Sequence, residues 1–327
     1  MDVSRPPVFS VLDVDKRFVL RKGRSGPVEL RALDGVRLDI EQGQSVALVG
    51  ESGSGKSTLV RMLLGLDRPG EGRVLYDGTD LQQVLLRDRA RFAREIAFVY
   101  QDARGSMNPR MTIGDIIGEP IRVHRLHPPE AVAGRVAALL ERVGLPASVA
   151  VRHPHQLSGG QVRRVAVARA LAQEPRVIMA DEAVAGLDVS VQASLLNLLR
   201  ELVRELKMTL VFVTHDLGVA SYLCDRIAVM YLGRVMETGP VDAILGGPAH
   251  PYTRGLLESF PRFDRPLHAP LRGEIPSPVN LPAGCRFAGR CTAVQSDCHG
   301  VDPVARPLDG NRWVACFHPL TGRTATA

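Results

Sequence analysis

The segment Gly50-Glu51-Ser52-Gly53-Ser54-Gly55-Lys56-Ser57 constrains this chain more than any other. It follows Ser45-Val46-Ala47-Leu48-Val49, a run with the length and character of a buried strand, and it precedes a helical pattern from Thr58 to Leu66. A glycine-rich turn between strand and helix is an anion cradle. Gly53 and Gly55 let backbone amides turn toward a phosphate with no side chain between, and the next helix points the positive end of its dipole there. In that setting Lys56 is expected to reach β- and γ-phosphates and the Ser57 hydroxyl to ligate Mg²⁺. Gly50, Ser52 and Thr58 complete the expected nucleotide-binding set. The fold class that accommodates such a loop is α/β, with ligands at the carboxyl ends of buried parallel strands.

Two more strands support that reading. Val177-Ile178-Met179-Ala180 is continuously apolar and ends in Asp181-Glu182. Asp181 is expected to hold Mg²⁺, directly or through water, and Glu182 to polarise the attacking water. Leu210-Val211-Phe212-Val213 leads to Thr214-His215-Asp216. A lone His at a strand end is more often a surface or core residue than a catalytic one. If one sheet presents Gly50, Asp181 and His215 on one edge, however, His215 reaches a γ-phosphate. Between these segments lies Leu157-Ser158-Gly159-Gly160-Gln161, followed by Val165, Ala168 and Leu171 at helical spacing. Ser158 with Gln161 fits a capping box, and Gly159 and Gly160 leave that helix end unshielded toward an anion.

Taken together, these segments resemble the ABC ATPases, for which Leu157 to Gln161 is the most diagnostic mark. The resemblance implies a P-loop NTPase (RecA-like) core with an antiparallel β subdomain and an α-helical signature subdomain. It implies ATP with Mg²⁺, and head-to-tail pairing in which Ser158, Gly159, Gly160 and Gln161 close over ATP held by the partner. Phe18, in Lys16-Arg17-Phe18, resembles the aromatic that stacks on adenine, and Gln101 the Q-loop glutamine that contacts Mg²⁺. Asp188 resembles the D-loop aspartate at the dimer seam, His215 the switch histidine and Glu182 the catalytic glutamate. The implied catalytic set is Glu182, His215 and Lys56, and the implied Mg²⁺ set Ser57, Gln101 and Asp181. Two departures occur: Ala185-Gly186 replaces the usual Ser-Ala before Leu187-Asp188, and Ala183-Val184 follows Glu182 where a proline is common. Neither removes a catalytic group, so an active site is expected.

The segments His250-Pro251-Tyr252-Thr253-Arg254-Gly255-Leu256-Leu257, Gly273-Glu274-Ile275-Pro276-Ser277-Pro278 and Ser106-Met107-Asn108-Pro109-Arg110 resemble the oligopeptide and dipeptide importer branch. That likeness implies two integral-membrane permease subunits and a second ABC ATPase, as a heterodimer rather than a homodimer. An extracytoplasmic solute-binding protein would act indirectly, and the chain would work at the cytoplasmic face of the inner or plasma membrane. The helical arm between Gln101 and Leu157 would receive the permease's coupling helix. The alternatives are importers of nickel, glutathione or another small solute, and ABC ATPases without a transport role, such as a carbon–phosphorus lyase accessory subunit. The expected organisation is an ABC ATPase domain at 1–245, with its helical subdomain at about 102–165, and an extension with a four-Cys module at 246–327.

Composition narrows the remaining classes. With 45% hydrophobic and 23% charged residues, the chain reads as globular. Its longest apolar runs, around Ile227 to Leu232, have strand length, far below the roughly 18 residues of a membrane span. The start, Met1 to Pro7, lacks a signal-peptide apolar core, which points to the cytoplasm. The net charge is +6, but the clusters Arg21 to Arg24 and Arg87 to Arg94 are interrupted and lack interleaved aromatics, so no nucleic-acid partner is expected. Prolines from Pro261 to Pro282 predict an extended strap leading to a small module. That module carries Cys285, Cys291, Cys298 and Cys316, spaced C-x₅-C-x₆-C-x₁₇-C. Four such thiols in a reducing compartment suit an iron–sulfur cluster or zinc, and metal-free thiols are the alternative weighed ahead of zinc. The absence of a close C-x₂₋₄-C pair favours [4Fe–4S]. Cys224, set among apolar residues, is expected simply to be buried.

Overall fold

The computed structural model describes residues 6–23, 26–259, 271, 273–308 and 311–320. Arg24 and much of the proline-rich strap after Pro261 lie outside the described residues. The chain forms two compact units: one is Met1–Glu41, Val46–Gln82 and Thr214–Ala327, the other Gln42–Ser45 and Gln83–Val213.

The first unit opens with a long antiparallel hairpin, Phe9–Gly23 against Gly26–Ile40, in register from Phe9↔Ile40 to Gly23↔Gly26. Glu71–Tyr76 pairs with the first of these strands, and Thr79–Asp80 completes the antiparallel sheet. Phe9, Val11, Leu33, Val36, Leu38 and Ile40 turn one face inward and are buried. The phosphate-loop strand Ser45–Val49 is buried throughout and runs parallel to Arg226–Tyr231. Arg226–Tyr231 then pairs antiparallel with Arg234–Pro240.

The extension read from sequence as a small module continues this sheet. Arg312–Val314 pairs with Arg234–Pro240 through Glu237↔Val314, and Arg306–Leu308 pairs in turn with Arg312–Val314. Strands of three residues cannot stand alone, and a ready-made sheet edge supplies the missing partner. The His-Pro-Tyr-Thr segment forms the helix Pro251–Glu258, with Pro251 in its first turn and the His250 ring accepting from the Tyr252 N–H at 3.0 Å.

In the second unit three parallel strands, Ile96–Val99, Val177–Asp181 and Thr209–Thr214, pair in that order through Ile96↔Val177 and Val177↔Thr209. Their near-unbroken burial is what parallel pairing demands. The stretch between Gln101 and Leu157 carries the helices Ile113–Val123 and Val132–Arg142, followed by two short 3₁₀ turns. The helix Leu81–Glu95 breaks at Asp88 (φ −152°, ψ 71°), whose carboxylate then accepts from the Arg91 N–H at 2.9 Å. Arg87 to Arg91 are exposed, and Arg91 and Arg176 pair with Glu95, so this basic run is the solvated face read from the sequence. Among the described residues no helix is long and apolar enough to cross a membrane.

Candidate functional site

In the first unit Val49 delivers the chain into the phosphate loop, and the helix Lys56–Leu63 leaves it. Gly55 sits at φ 102°, and a Cβ there would lie 2.6 Å from the Ala32 carbonyl oxygen. Gly53 is also left-handed, at φ 76°. Gly55→Ala is expected to cost about 1–3 kcal/mol in unfolding free energy from backbone strain alone, read from the urea midpoint, and to weaken nucleotide binding in parallel. Lys56 is buried, and its ammonium donates to the carbonyls of Gly50 at 2.7 Å and Glu51 at 2.8 Å and to Ser54 Oγ at 3.3 Å. The cation thus lies under the loop, while Ser52, Gly53 and Ser57 are exposed and Thr58 half-buried. Phe18 is 36% exposed, and the Lys16 ammonium, paired with Asp67 at 2.5 Å, lies 5.2 Å from its ring centroid.

The loop is also gripped by the extension. The Glu51 N–H donates to the Tyr252 hydroxyl at 3.0 Å, and the Glu51 carboxylate takes both arms of the Arg290 guanidinium, at 2.7 and 3.0 Å. That charge-assisted pair holds the Arg290 guanidinium well above its usual pKa.

In the second unit Asp181 ends its strand in register with Val213, two residues before His215. Glu182 follows at φ 43°, in the left-handed region that a non-glycine residue occupies at a cost. Its N–H donates to the Val213 carbonyl at 3.0 Å, and its carbonyl accepts from the Ala185 N–H at 2.9 Å. The Gln101 amide donates to the Glu182 carboxylate at 2.6 Å, so these two predicted site residues meet directly. His215 is exposed, just past its strand.

Ser158 caps the helix Gly159–Leu171 with the expected box: its hydroxyl accepts from the Gln161 N–H at 3.3 Å, and the Gln161 side chain accepts from the Ser158 N–H at 3.0 Å. Asp188 caps the helix Val189–Leu206, accepting from the Val191 N–H at 2.9 Å and Ser190 Oγ at 2.7 Å. The Val191 N–H bond and the Ser190 hydroxyl keep its carboxyl below the ordinary range. Gly186, at φ 72°, supplies the turn that leads there.

Sequence reasoning missed Arg163. From the signature helix its guanidinium donates to the carbonyls of Gln101 at 3.2 Å, Ala183 at 2.7 Å and Ala185 at 2.5 Å. One side chain therefore ties the signature helix to the backbone of the Q-loop and of the segment after Glu182. No spacing rule flags an arginine whose targets are carbonyl oxygens.

The four cysteines of the extension are free thiols and line one small cavity with His250, Phe287, Phe317 and His318. Burial pushes Cys285 up to about 11 and raises Cys291 and Cys316. Backbone N–H groups two residues on oppose this: Phe287 at Cys285, Ala293 at Cys291 (3.4 Å) and His318 at Cys316. Such amide-to-sulfur bonds favour thiolates and so fit a thiolate-bound metal centre. At the cavity, the ligand atoms of its lining residues Cys298 and His318 and of Asp297 lie within 4.8 Å of one another, and the His318 ring meets both Asp297 oxygens at 2.9 Å. Arg286, buried next to Cys285, pairs with Asp34 and Asp302 and donates to the Leu232 carbonyl, docking the module on the sheet. Cys224 is buried, as expected, and burial raises its thiol.

A family model described as ABC transporter matches residues 33–185, and one described as oligopeptide/dipeptide transporter, C-terminal region, matches residues 236–298. The putative oligopeptide transport ATP-binding protein YkfD of Bacillus subtilis is 42% identical over 318 residues, covering 95% of each chain. The chain belongs to the ABC transporter family. The oligopeptide transport ATP-binding protein OppF of Salmonella typhimurium is 40% identical to this ABC protein, covering 92% of it and 93% of OppF. The dipeptide transport ATP-binding protein DppF of Escherichia coli is also 40% identical, over 95% of this chain and 94% of its own. Among solved structures, the ATP-binding cassette MJ0796 bound to ADP and Pi matches with a TM-score of 0.64 and 31% identity, covering 71% of this chain and 98% of the cassette. The 33–185 match contains the phosphate loop, Gln101, the signature, Asp181 and Glu182, while Phe18, Asp188 and His215 lie outside it. The 236–298 match contains Cys285, Cys291 and Cys298.

Proposed function

We propose that this ABC protein is the ATP-binding and ATP-hydrolysing subunit that powers an importer of di- or oligopeptides. The observation that carries the reading is likeness to peptide-transport ATP-binding proteins over 95% of the chain, extension included. Lys56 and the loop amides bind the β- and γ-phosphates, Phe18 stacks on adenine, and Glu182 aligns water for in-line attack, with His215 at the γ-phosphate. Ser57, Gln101 and Asp181 offer hydroxyl, amide and carboxylate oxygens, the donor set that suits Mg²⁺, and the bound ion would offset phosphate charge. The amide nitrogen of Gln101 already faces Glu182, which leaves its oxygen for the cation. Ser158 to Gln161 serve the ATP of a partner ATPase, and Asp188 lies at the seam between the two.

The partners are two membrane permease subunits and a second, different ABC ATPase, at the cytoplasmic face of the membrane; a solute-binding protein acts from the other side. Residues 246–327 are the branch-specific addition to an ATPase domain of 1–245. In that addition Cys285, Cys291, Cys298 and Cys316 hold a [4Fe–4S] cluster, a reading supported by the shared cavity and the amide-to-sulfur bonds. A zinc ion is the second reading, favoured by the Asp297, Cys298 and His318 grouping.

The test is anaerobic purification with co-expressed membrane partners, followed by subunit identification and iron, sulfide and zinc analysis. Two permeases, a second ATPase and about four irons with matching sulfide are expected. A soluble non-permease partner would instead assign an accessory ATPase, and zinc without sulfide would remove the cluster.

A further inference from the structure

An acidic side chain is an unexpected component of a phosphate cradle. From Gly50 to Ser57 the loop carries one anion, Glu51, and one cation, Lys56, so its formal charge is zero although its ligand is a polyanion. Arg290 changes that balance to +1 through its two-armed pair with Glu51 at 2.7 and 3.0 Å. The Arg290 side chain is only 4% exposed. Its guanidinium lies 5.7 Å from the Tyr231 ring centroid and 5.9 Å from that of Phe287. The rest of Glu51 is also engaged, its N–H by the Tyr252 hydroxyl and its carbonyl by Lys56. Arg290 ends the turn Ala288–Arg290, directly before Cys291, which lines the four-thiol pocket.

We propose that Arg290 is a positioning residue of the nucleotide site, neutralising Glu51 and so setting the affinity of the phosphate loop for ATP. The inference rests on the reading that this loop binds ATP. An exposed ion pair adds little, but this one is bidentate and largely buried on the arginine side. Removing Arg290 leaves an unpaired carboxylate in the cradle, where it repels phosphate and loosens the loop. Removing the charge of Glu51 as well relieves the repulsion. A contact that merely docked the extension would predict no such relief.

The experiment titrates the full-length protein with a fluorescent ATP analogue at two salt concentrations, with thermal melts to confirm folding. Saturable wild-type binding is the first requirement, and its absence overturns the ATP reading and this inference together. Arg290→Met is expected to weaken binding roughly ten- to a hundredfold. Arg290→Lys should restore part of the loss, because it returns the charge without the planar fork. The double variant Arg290→Met with Glu51→Gln should return to within about threefold of wild type. Glu51→Gln alone keeps an acceptor for Arg290 and is expected to bind as tightly as wild type or tighter, with a steeper salt dependence. With wild type binding, a double variant as weak as Arg290→Met, or a Glu51→Gln protein that binds more weakly than wild type, overturns the inference. Should Arg290→Met fail to fold, the Glu51→Gln comparison decides.

Discussion

Glu182→Gln is expected to slow ATP hydrolysis by roughly 10²–10⁴-fold, the range for loss of a positioned general base, while ATP binding persists. The Glu182 carboxylate accepts from the Gln101 amide at 2.6 Å. A glutamine keeps an acceptor for Gln101, so the link between the Q-loop and residue 182 survives the substitution. What is lost is basicity. The left-handed backbone at φ 43° is held by the bonds to Val213 and Ala185, and these do not depend on the side chain. The variant should therefore fold like wild type, bind the ATP analogue with similar affinity, and accumulate in the ATP-bound state. Turnover close to wild type in a phosphate-release assay would remove Glu182 from its assigned role.

The contrast between Glu182 and Arg163 shows where the sequence is informative. Glu182, the signature and the phosphate loop are each encoded within about ten residues, as a strand, a turn and a helix start, and local chemistry fixes their form. The capping box at Ser158 and Gln161 formed as its spacing predicts. Boundaries shifted slightly for local reasons. The loop helix begins at Lys56 rather than Thr58, because Gly55 turns the chain into it. The kink at Asp88 had no warning from spacing, because Asp88 competes for the backbone only once its neighbours are helical.

Contacts made across long stretches of chain were not legible. Arg290 and Glu51 are 239 residues apart, and Arg163 reaches carbonyl oxygens up to 62 residues away. Neither has a periodicity, since each depends on how finished elements pack. The four cysteines stand between these cases. Their clustering in the sequence announced a shared site, but not that the residue before Cys291 would be an arginine paired with Glu51 of the phosphate loop.

Glu237→Ala is expected to destabilise the protein by about 3–5 kcal/mol, the usual cost of removing one partner from a buried charge pair. Glu237 is fully buried on the strand Arg234–Pro240. Its carboxylate accepts from the Ala249 N–H at 2.8 Å, the His250 N–H at 2.9 Å and Arg312 at 2.7 Å. Removing it strands a mostly buried guanidinium and two buried amides at once, at the point where helix Pro251–Glu258 begins. That helix carries Tyr252, whose hydroxyl holds the Glu51 N–H, so the damage should reach the phosphate loop. Denaturant unfolding should show the midpoint shift, and the ATP analogue should bind more weakly to whatever fraction remains folded. Glu237→Gln keeps an acceptor and should lose distinctly less stability. If Glu237→Ala and Glu237→Gln unfolded at the same denaturant concentration as wild type, the buried carboxylate would not be what pins the extension to the sheet.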